Sequence, residues 1–370
     1  MNIKLFKFLW ISSIIIILFS CASSQRFSDT WENEFLGSKI DIPFYPDGNA
    51  NYWTYSFNPK NTNIAYKITG KIPKARYFSF NLYNDKTRAS VASLIDKDII
   101  NQEGTYTIKL VSTEHKSETE SKTLYFAPNS KSYSIFLRYY LPNDNPYGNV
   151  DLPNIIAYNI HTGKKIKLPK KRFNRLGAKN LFKALGKIAS KKIDKSLFSN
   201  FNKNIIAYKR SGKGLYENKD NSYLIMPISK NKDEIAILKF KPPTFSKNFK
   251  DLNKEVRYWS LGLGDKKTFN YTTLCDKDLD INSDGYIYIA IGNKISTNQN
   301  IIFNQMSWVI KEKEALLIYR NLVPNPDFKY AVQNVPESNE NAKKYINDYA
   351  PQGKVISITE FQKDGFKAIQ

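Results

Sequence analysis

From residue 49 onward the chain alternates short apolar runs with polar breaks. RYFSFNLY (76–83), TYTIKLV (105–111) and YSIFLRYYL (133–141) are punctuated by NDK, QEG and PND. EIAILKF (234–240), RYWSLGL (257–263), YIYIAI (286–291) and ALLIYRNL (315–322) follow, with SDG at 283–285 as the clearest turn signal. Runs of this length, rich in aromatic and β-branched residues and closed by Gly, Asn and Asp, predict strands. Six or seven such runs fall in each half. The fold class they predict is mainly β: two β-sandwiches, jelly-roll-like or immunoglobulin-like.

The two halves repeat one another. RYFSFNLYND (76–85) faces RYWSLGLGD (257–265), SLIDKD (93–98) faces TLCDKD (273–278), and EGTYTIKL (103–110) faces DGYIYIAI (284–291). IFLRYYLPN (135–143) faces LIYRNLVPN (317–325) without a gap, and NIAYKITGKIP (63–73) faces EIAILKFKPPT (234–244). Chance matches do not keep their order at a nearly constant offset, so the sandwiches are duplicates, at 49–160 and 214–332. An arginine opens the repeated phrase in both copies, Arg76 and Arg257. It reads as an ion-pair partner for Asp96 and Asp276 or for Asp98 and Asp278, with ligand binding as the alternative.

Charge is concentrated between the copies. Of a formal net charge of +22, the stretch 164–213 carries 17 Lys and Arg against the single acid Asp194. Within it Leu181, Leu185, Ile188, Ile193 and Leu197 recur at helical spacing, and Lys179, Lys183, Lys187, Lys191, Lys192 and Lys195 fill the opposite face. A basic amphipathic helix is predicted, and with it docking on anionic lipid, lipopolysaccharide or an acidic glycan; a lysine face that is merely solvated is the alternative. At the N-terminus, Lys4 and Lys7 precede FLWISSIIIILFS (8–20), an apolar run too short to span a bilayer comfortably. It reads as an export signal. The resulting map is a signal at 1–20, a tether at 21–48, the first sandwich at 49–160, a basic connector at 161–213, the second sandwich at 214–332 and a C-terminal segment at 333–370 packing on it.

LFSC (18–21) resembles the lipobox of bacterial lipoproteins. That resemblance implies lipidation of Cys21, which becomes the first mature residue. With Ala22 rather than Asp next, it also implies a place at the outer membrane in preference to the inner one. RYFSFNLYND, TLYFAPN, RYYLPNDN and NVDLPNIIAYNIHTGK in the first half, and PPTF, VRYWSLGLGD and LIYRNLVPN in the second, resemble an uncharacterised group of exported bacterial proteins. Its members carry duplicated β-rich domains of unknown function. The resemblance implies the duplicated fold and transfers no activity.

Candidate chemistry is sparse. Two Cys and two His leave little scope for zinc or thiol chemistry. With Cys21 lipidated, Cys275 has no partner for a disulfide, and its alignment with apolar Ile95 predicts a buried thiol. His115 and His161 read as loop and turn residues. Asp280, Asn282, Asp284 and Gly285 take the first, third, fifth and sixth places of a calcium loop, but Ile291 stands where the bidentate Glu belongs. The first copy has Ile99 in place of Asp280, so the bend reads as a Ser-Asp-Gly turn rather than a metal site, and no cofactor is expected. Asp276 and Asp278, two apart on one side of a strand and flanked by Arg257, are the candidates for acid–base work on a polysaccharide. The expectation is a lipid-anchored envelope protein that binds or supports through its connector, partnering the membrane and not nucleic acid. An envelope hydrolase or lyase is the alternative.

Overall fold

The computed structural model describes residues 31, 33–36, 45–100, 103–117, 121–142, 151–167, 203–209, 216–247, 251, 253–265, 269–293, 296 and 301–369. The predicted export signal, Cys21 and the six lysines of the predicted connector helix lie outside the described residues. In chain order the first half contributes β1 (Asn33–Leu36), β2 (Ala50–Phe57), β3 (Ile64–Lys71), β4 (Tyr77–Asn84), β5 (Ala89–Ile95), β6 (Thr105–Ser112), β7 (Thr123–Phe126), β8 (Tyr133–Tyr140), β9 (Asn154–Asn159) and β10 (Lys165–Ile166). The second contributes β11 (Asn204–Ile206), β12 (Asn221–Ser229), β13 (Glu234–Phe240), β14 (Val256–Gly264), β15 (Asn270–Cys275), β16 (Ile287–Gly292), β17 (Asn304–Ser307), β18 (Glu314–Pro324) and β19 (Gln352–Ser357).

Four sheets result. The first half has an inner sheet, β1-β2-β8-β4-β5, and an outer one, β10-β9-β3-β6-β7. The second has an inner sheet, β12-β18-β14-β15, and an outer one, β11-β19-β13-β16-β17. The order β2-β8-β4-β5 is thus repeated as β12-β18-β14-β15. The repeat extends to a parallel strand pair in each half, β6 with β7 and β16 with β17. It extends also to a bulge at Leu82/Tyr83 and at Leu263/Gly264, the same place in the duplicated phrase.

The residue patterns explain the layering. In β6 the sequence TYTIKLVS alternates exposed Thr105, Thr107 and Lys109 with buried Tyr106, Ile108 and Leu110, as a sheet with one solvated face requires. Strand β14, VRYWSLGLG, is buried at every position. Trp259, Leu261 and Leu263 face the outer sheet of their own half, in one core with Leu238, Phe240 and Tyr319. The alternate residue Tyr258 joins Tyr77, Tyr140, Ile95, Cys275 and Leu322 in a separate cluster drawn from both inner sheets. The inner sheets therefore lie back to back, and the repeated phrase has no polar alternation because neither of its faces meets water.

Three boundaries and alignments differ from the sequence map. The segment read as a tether supplies β1, which pairs with β2. The C-terminal segment, expected to pack on the second copy, also supplies β19, inserted between β11 and β13 as β9 is inserted between β10 and β3. Before it, the extra stretch 333–350 packs Val335, Ala342, Ile346 and Tyr349 on the core. The match of 63–73 with 234–244 is also off by one residue. Tyr66 and Ile68 point into the first core, while the inward residues of β13 are Ala236, Leu238 and Phe240 and not Ile237. Because side chains alternate with a period of two, a slip of one would invert the faces. Ile235 and Ile237 instead face outward, under Phe361 and Phe366 of the C-terminal helix Ile358–Asp364 and the turn after it.

Candidate functional site

The duplicated arginines are ion-pair partners of Asp96 and Asp276, and each pair crosses between the halves. Arg76, just before β4, reaches out of its own half: its Nη1 donates to Asp276 Oδ1 at 3.1 Å and Oδ2 at 3.2 Å. Arg257, its counterpart and the second residue of β14, donates from Nη1 to Asp96 Oδ2 at 2.8 Å. Each half thus supplies the cation for the other half's carboxylate. Arg257 also donates to the carbonyl of Arg76 at 3.4 Å, so the two pairs sit side by side across a quasi-twofold axis. Their side chains are essentially removed from solvent, at 3% and 0% exposure for Arg76–Asp276 and 2% and 1% for Arg257–Asp96.

Local structure positions the carboxylates. Asp96 opens the helical turn Asp96–Ile99 and Asp276 the 3-10 turn Asp276–Asp278, each just past the last residue of β5 or β15. Asp276 Oδ2 accepts the Trp259 backbone N–H at 3.1 Å, and Asp96 accepts the equivalent N–H of Phe78. Burial pushes the Asp276 carboxyl up to about 6, against the guanidinium of Arg76 and the Trp259 N–H, which favour the ionised form. Burial raises Asp96 as well, opposed chiefly by Arg257.

The three residues singled out for acid–base work are therefore separated. Asp276 is sealed against Arg76, Arg257 belongs to Asp96, and Asp278 points to the surface beside Lys277 at 2.8 Å. Asp278 Oδ2 also accepts the thiol of Cys275 at 3.1 Å. That thiol is fully buried, in the place Ile95 takes in the first half, and burial raises its pKa far above the ordinary thiol range.

The residues of the calcium-like loop form a turn. Gly285, with φ at +82°, donates its N–H to the Asn282 carbonyl at 2.9 Å. Asp284 Oδ1 accepts the Tyr286 N–H at 3.0 Å and its Oδ2 accepts the Tyr288 hydroxyl at 2.7 Å. Asn282 Oδ1 accepts the Ile302 N–H at 3.1 Å, and Asp280 offers its backbone N–H to Asn304 Oδ1 at 3.0 Å. The oxygens at the third and fifth places are thus engaged by the protein. Among the described residues no group of three His, Cys, Asp or Glu is arranged to hold a metal ion. Asp284→Ala removes two accepted hydrogen bonds and is expected to lower stability by about 1–3 kcal/mol. The same loss should be measured by urea denaturation in calcium and in chelator; a calcium-dependent difference would restore the metal reading.

Sequence reasoning passed over a second pair of arginines, Arg138 in IFLRYYLPN and Arg320 in LIYRNLVPN. Both sit mid-strand, opposite Ser79 and Ser260, and both are buried. A charged residue inside an apolar run, repeated in both copies, was the available signal, since buried arginine persists only with partners. Arg138 donates to Asn81 Oδ1, and from Nη2 to the Tyr83 hydroxyl at 2.7 Å and the Tyr216 carbonyl at 3.0 Å. Arg320 donates from Nη2 to the Tyr45 carbonyl at 2.6 Å and lies 3.9 Å from Asp47.

Neither a protein-family model nor a curated protein matches the chain. Among solved structures it is similar to a protein of Burkholderia cenocepacia described as putative and uncharacterised, at 10% identity and a TM-score of 0.58 over 90% of this chain and 83% of that one. The fold is shared. The VPA0106 protein of Vibrio parahaemolyticus aligns with a TM-score of 0.47 and 12% identity over 86% of this chain and 92% of that one. Among the described residues no helix is long and apolar enough to cross a membrane.

Proposed function

We propose that this is a lipid-anchored protein of the bacterial cell envelope, placed at the outer membrane by Cys21, with a binding or supporting role. Its connector docks on anionic lipid, lipopolysaccharide or acidic glycan. The observation that carries a binding role in preference to catalysis is the fate of the ionisable pairs. Asp276 and Arg257, the strongest catalytic candidates, are each buried against a partner of the opposite half and hold the body together. The export signal and LFSC support the anchor, and the charge of 164–213 supports the docking. Near an anionic surface each Lys contributes roughly 1 kcal/mol, within a Debye length of about 8 Å at physiological salt.

Two experiments test this reading. Cys21→Ala should abolish fatty-acid labelling and move the protein from the membrane to the soluble fraction, and continued labelling would refute the anchor. Unlipidated mature protein should sediment with vesicles containing anionic lipid, ignore zwitterionic ones and detach as salt rises. Changing Lys183, Lys187, Lys191 and Lys192 together to Glu should remove that binding without changing the melting temperature. Protein that ignores anionic vesicles at low salt would refute the docking.

A further inference from the structure

The segments that lead into the two halves are exchanged. Tyr45–Asn49 precedes β2 of the first half; besides the bonds of its own turn, the Asp47 N–H to the Tyr52 hydroxyl at 3.0 Å and the Leu141 N–H to the Asn49 carbonyl at 2.9 Å, its hydrogen bonds reach the second. The Tyr45 carbonyl accepts Arg320 and the Pro46 carbonyl accepts Asn270 Nδ2 at 2.8 Å. Asp47 accepts the Tyr258 hydroxyl at 2.9 Å and the Ser260 hydroxyl at 2.7 Å, and the Gly48 N–H donates to Thr273 at 3.1 Å. The counterpart is Tyr216–Asp220, which precedes β12 of the second half and is gripped by the first. The Tyr216 carbonyl accepts Arg138, the Glu217 carbonyl accepts the Tyr83 hydroxyl at 2.6 Å, and Asp220 accepts the Tyr77 hydroxyl at 2.6 Å. The Tyr216 ring stacks on Phe136 at 4.9 Å.

The two arms match in detail. Tyr45 and Tyr216 both adopt positive φ, 47° and 53°, and both offer their carbonyls to the mid-strand arginine of the other half. Tyr77 and Tyr258, equivalent residues of β4 and β14, each clamp an arm carboxylate from the opposite half. Together with the Arg76–Asp276 and Arg257–Asp96 pairs, every one of these contacts crosses between halves. Where the first half fills its inner face with Asn81 and Tyr83, the second has Gly262 and Gly264. A Cβ on Gly264 would stand 2.3 Å from the Tyr45 ring and 2.6 Å from the Phe269 carbonyl. The space vacated by that side chain is the seat of the arm.

We infer that the inner face of each half is a specific docking surface whose partner is the other half with its arm. The body is then a two-piece complex held by the contacts between its halves. Exchanged elements of this kind are how swapped dimers are built, and here both partners lie in one chain. The connector can then be cut without parting the halves. This rests on the contacts between halves and not on the membrane reading, so either can fail alone.

The test uses the full mature chain with a site-specific protease sequence inserted between Lys187 and Ile188. After cleavage at micromolar concentration, the two fragments should elute together from a sizing column at the volume of the uncut protein. The cut protein should also unfold at a urea midpoint that falls on dilution, while the uncut midpoint stays fixed, because only the cut protein loses a partner on unfolding. Asp96→Asn with Asp276→Asn should weaken the cut complex at least tenfold. Fragments that separate on the column, or a cut protein whose midpoint ignores dilution, would overturn the inference. Cleaved wild type alone decides it, even if the double variant does not fold.

Discussion

Alanine at Arg76 is expected to destabilise the protein by about 3–5 kcal/mol in urea denaturation, because it strands the Asp276 carboxylate in a dry interface. Asp276 is 4% exposed, and its remaining partner is one backbone N–H. Replacing both members, Arg76→Met with Asp276→Leu, should cost less than the single change, since the stranded charge is then gone. A loss below about 1 kcal/mol for Arg76→Ala would mean that the pair contributes little to holding the halves. Substitution of Arg257 should behave alike, through Asp96.

The same pair gives a pH signature of definite sign. Asp276 is raised in the folded protein to about 6, above the value near 3.9 of an unfolded chain. Folding therefore takes up a proton between those values. The stability this group contributes is full below about 3.9 and lost as pH rises through about 6. Relative to Asp276→Asn, the wild type should gain stability as the buffer is taken from pH 7 to pH 5. A difference that shrinks over that interval would show the carboxyl to be lowered instead.

Trp259→Ala is expected to cost about 3–5 kcal/mol, by the cavity it leaves in the second core. The indole is 1% exposed, packs edge-on to Phe240 at 5.5 Å and near Tyr319 at 6.0 Å, and donates from Nε1 to the Pro243 carbonyl at 3.1 Å. Trp259→Phe should cost much less. The first half builds the same position with Phe78, packed among Phe80, Tyr106 and Tyr139. If Phe is as damaging as Ala, the hydrogen bond to Pro243 and not the packed volume is what the position requires.

Much of this fold was written in local pattern. The strand runs and their order follow from a period of two and from turn residues such as Ser283, Asp284 and Gly285, which act over a few positions. The duplication was legible because matched phrases keep their order, and the burial of Cys275 because Ile95 stands opposite it in the alignment. The turn at Ser283, Asp284 and Gly285 was legible in the residues themselves, and Gly285 takes the positive φ that such a bend requires.

What the sequence could not decide was which half each polar group would serve. Arg76 had Asp96 and Asp98 close by in its own copy, yet its partner is Asp276, 200 residues away. The arms at Tyr45 and Tyr216 were missed because YPDGN and YENKD share little beyond the tyrosine, their match being one of backbone path. The slip between β3 and β13 was also invisible, since both stretches are apolar enough for either register. Apolar spacing fixes which residues leave water, and any apolar neighbour satisfies that demand. A buried guanidinium or carboxylate must find one partner in one direction, and that direction exists only after the inner sheets have met back to back.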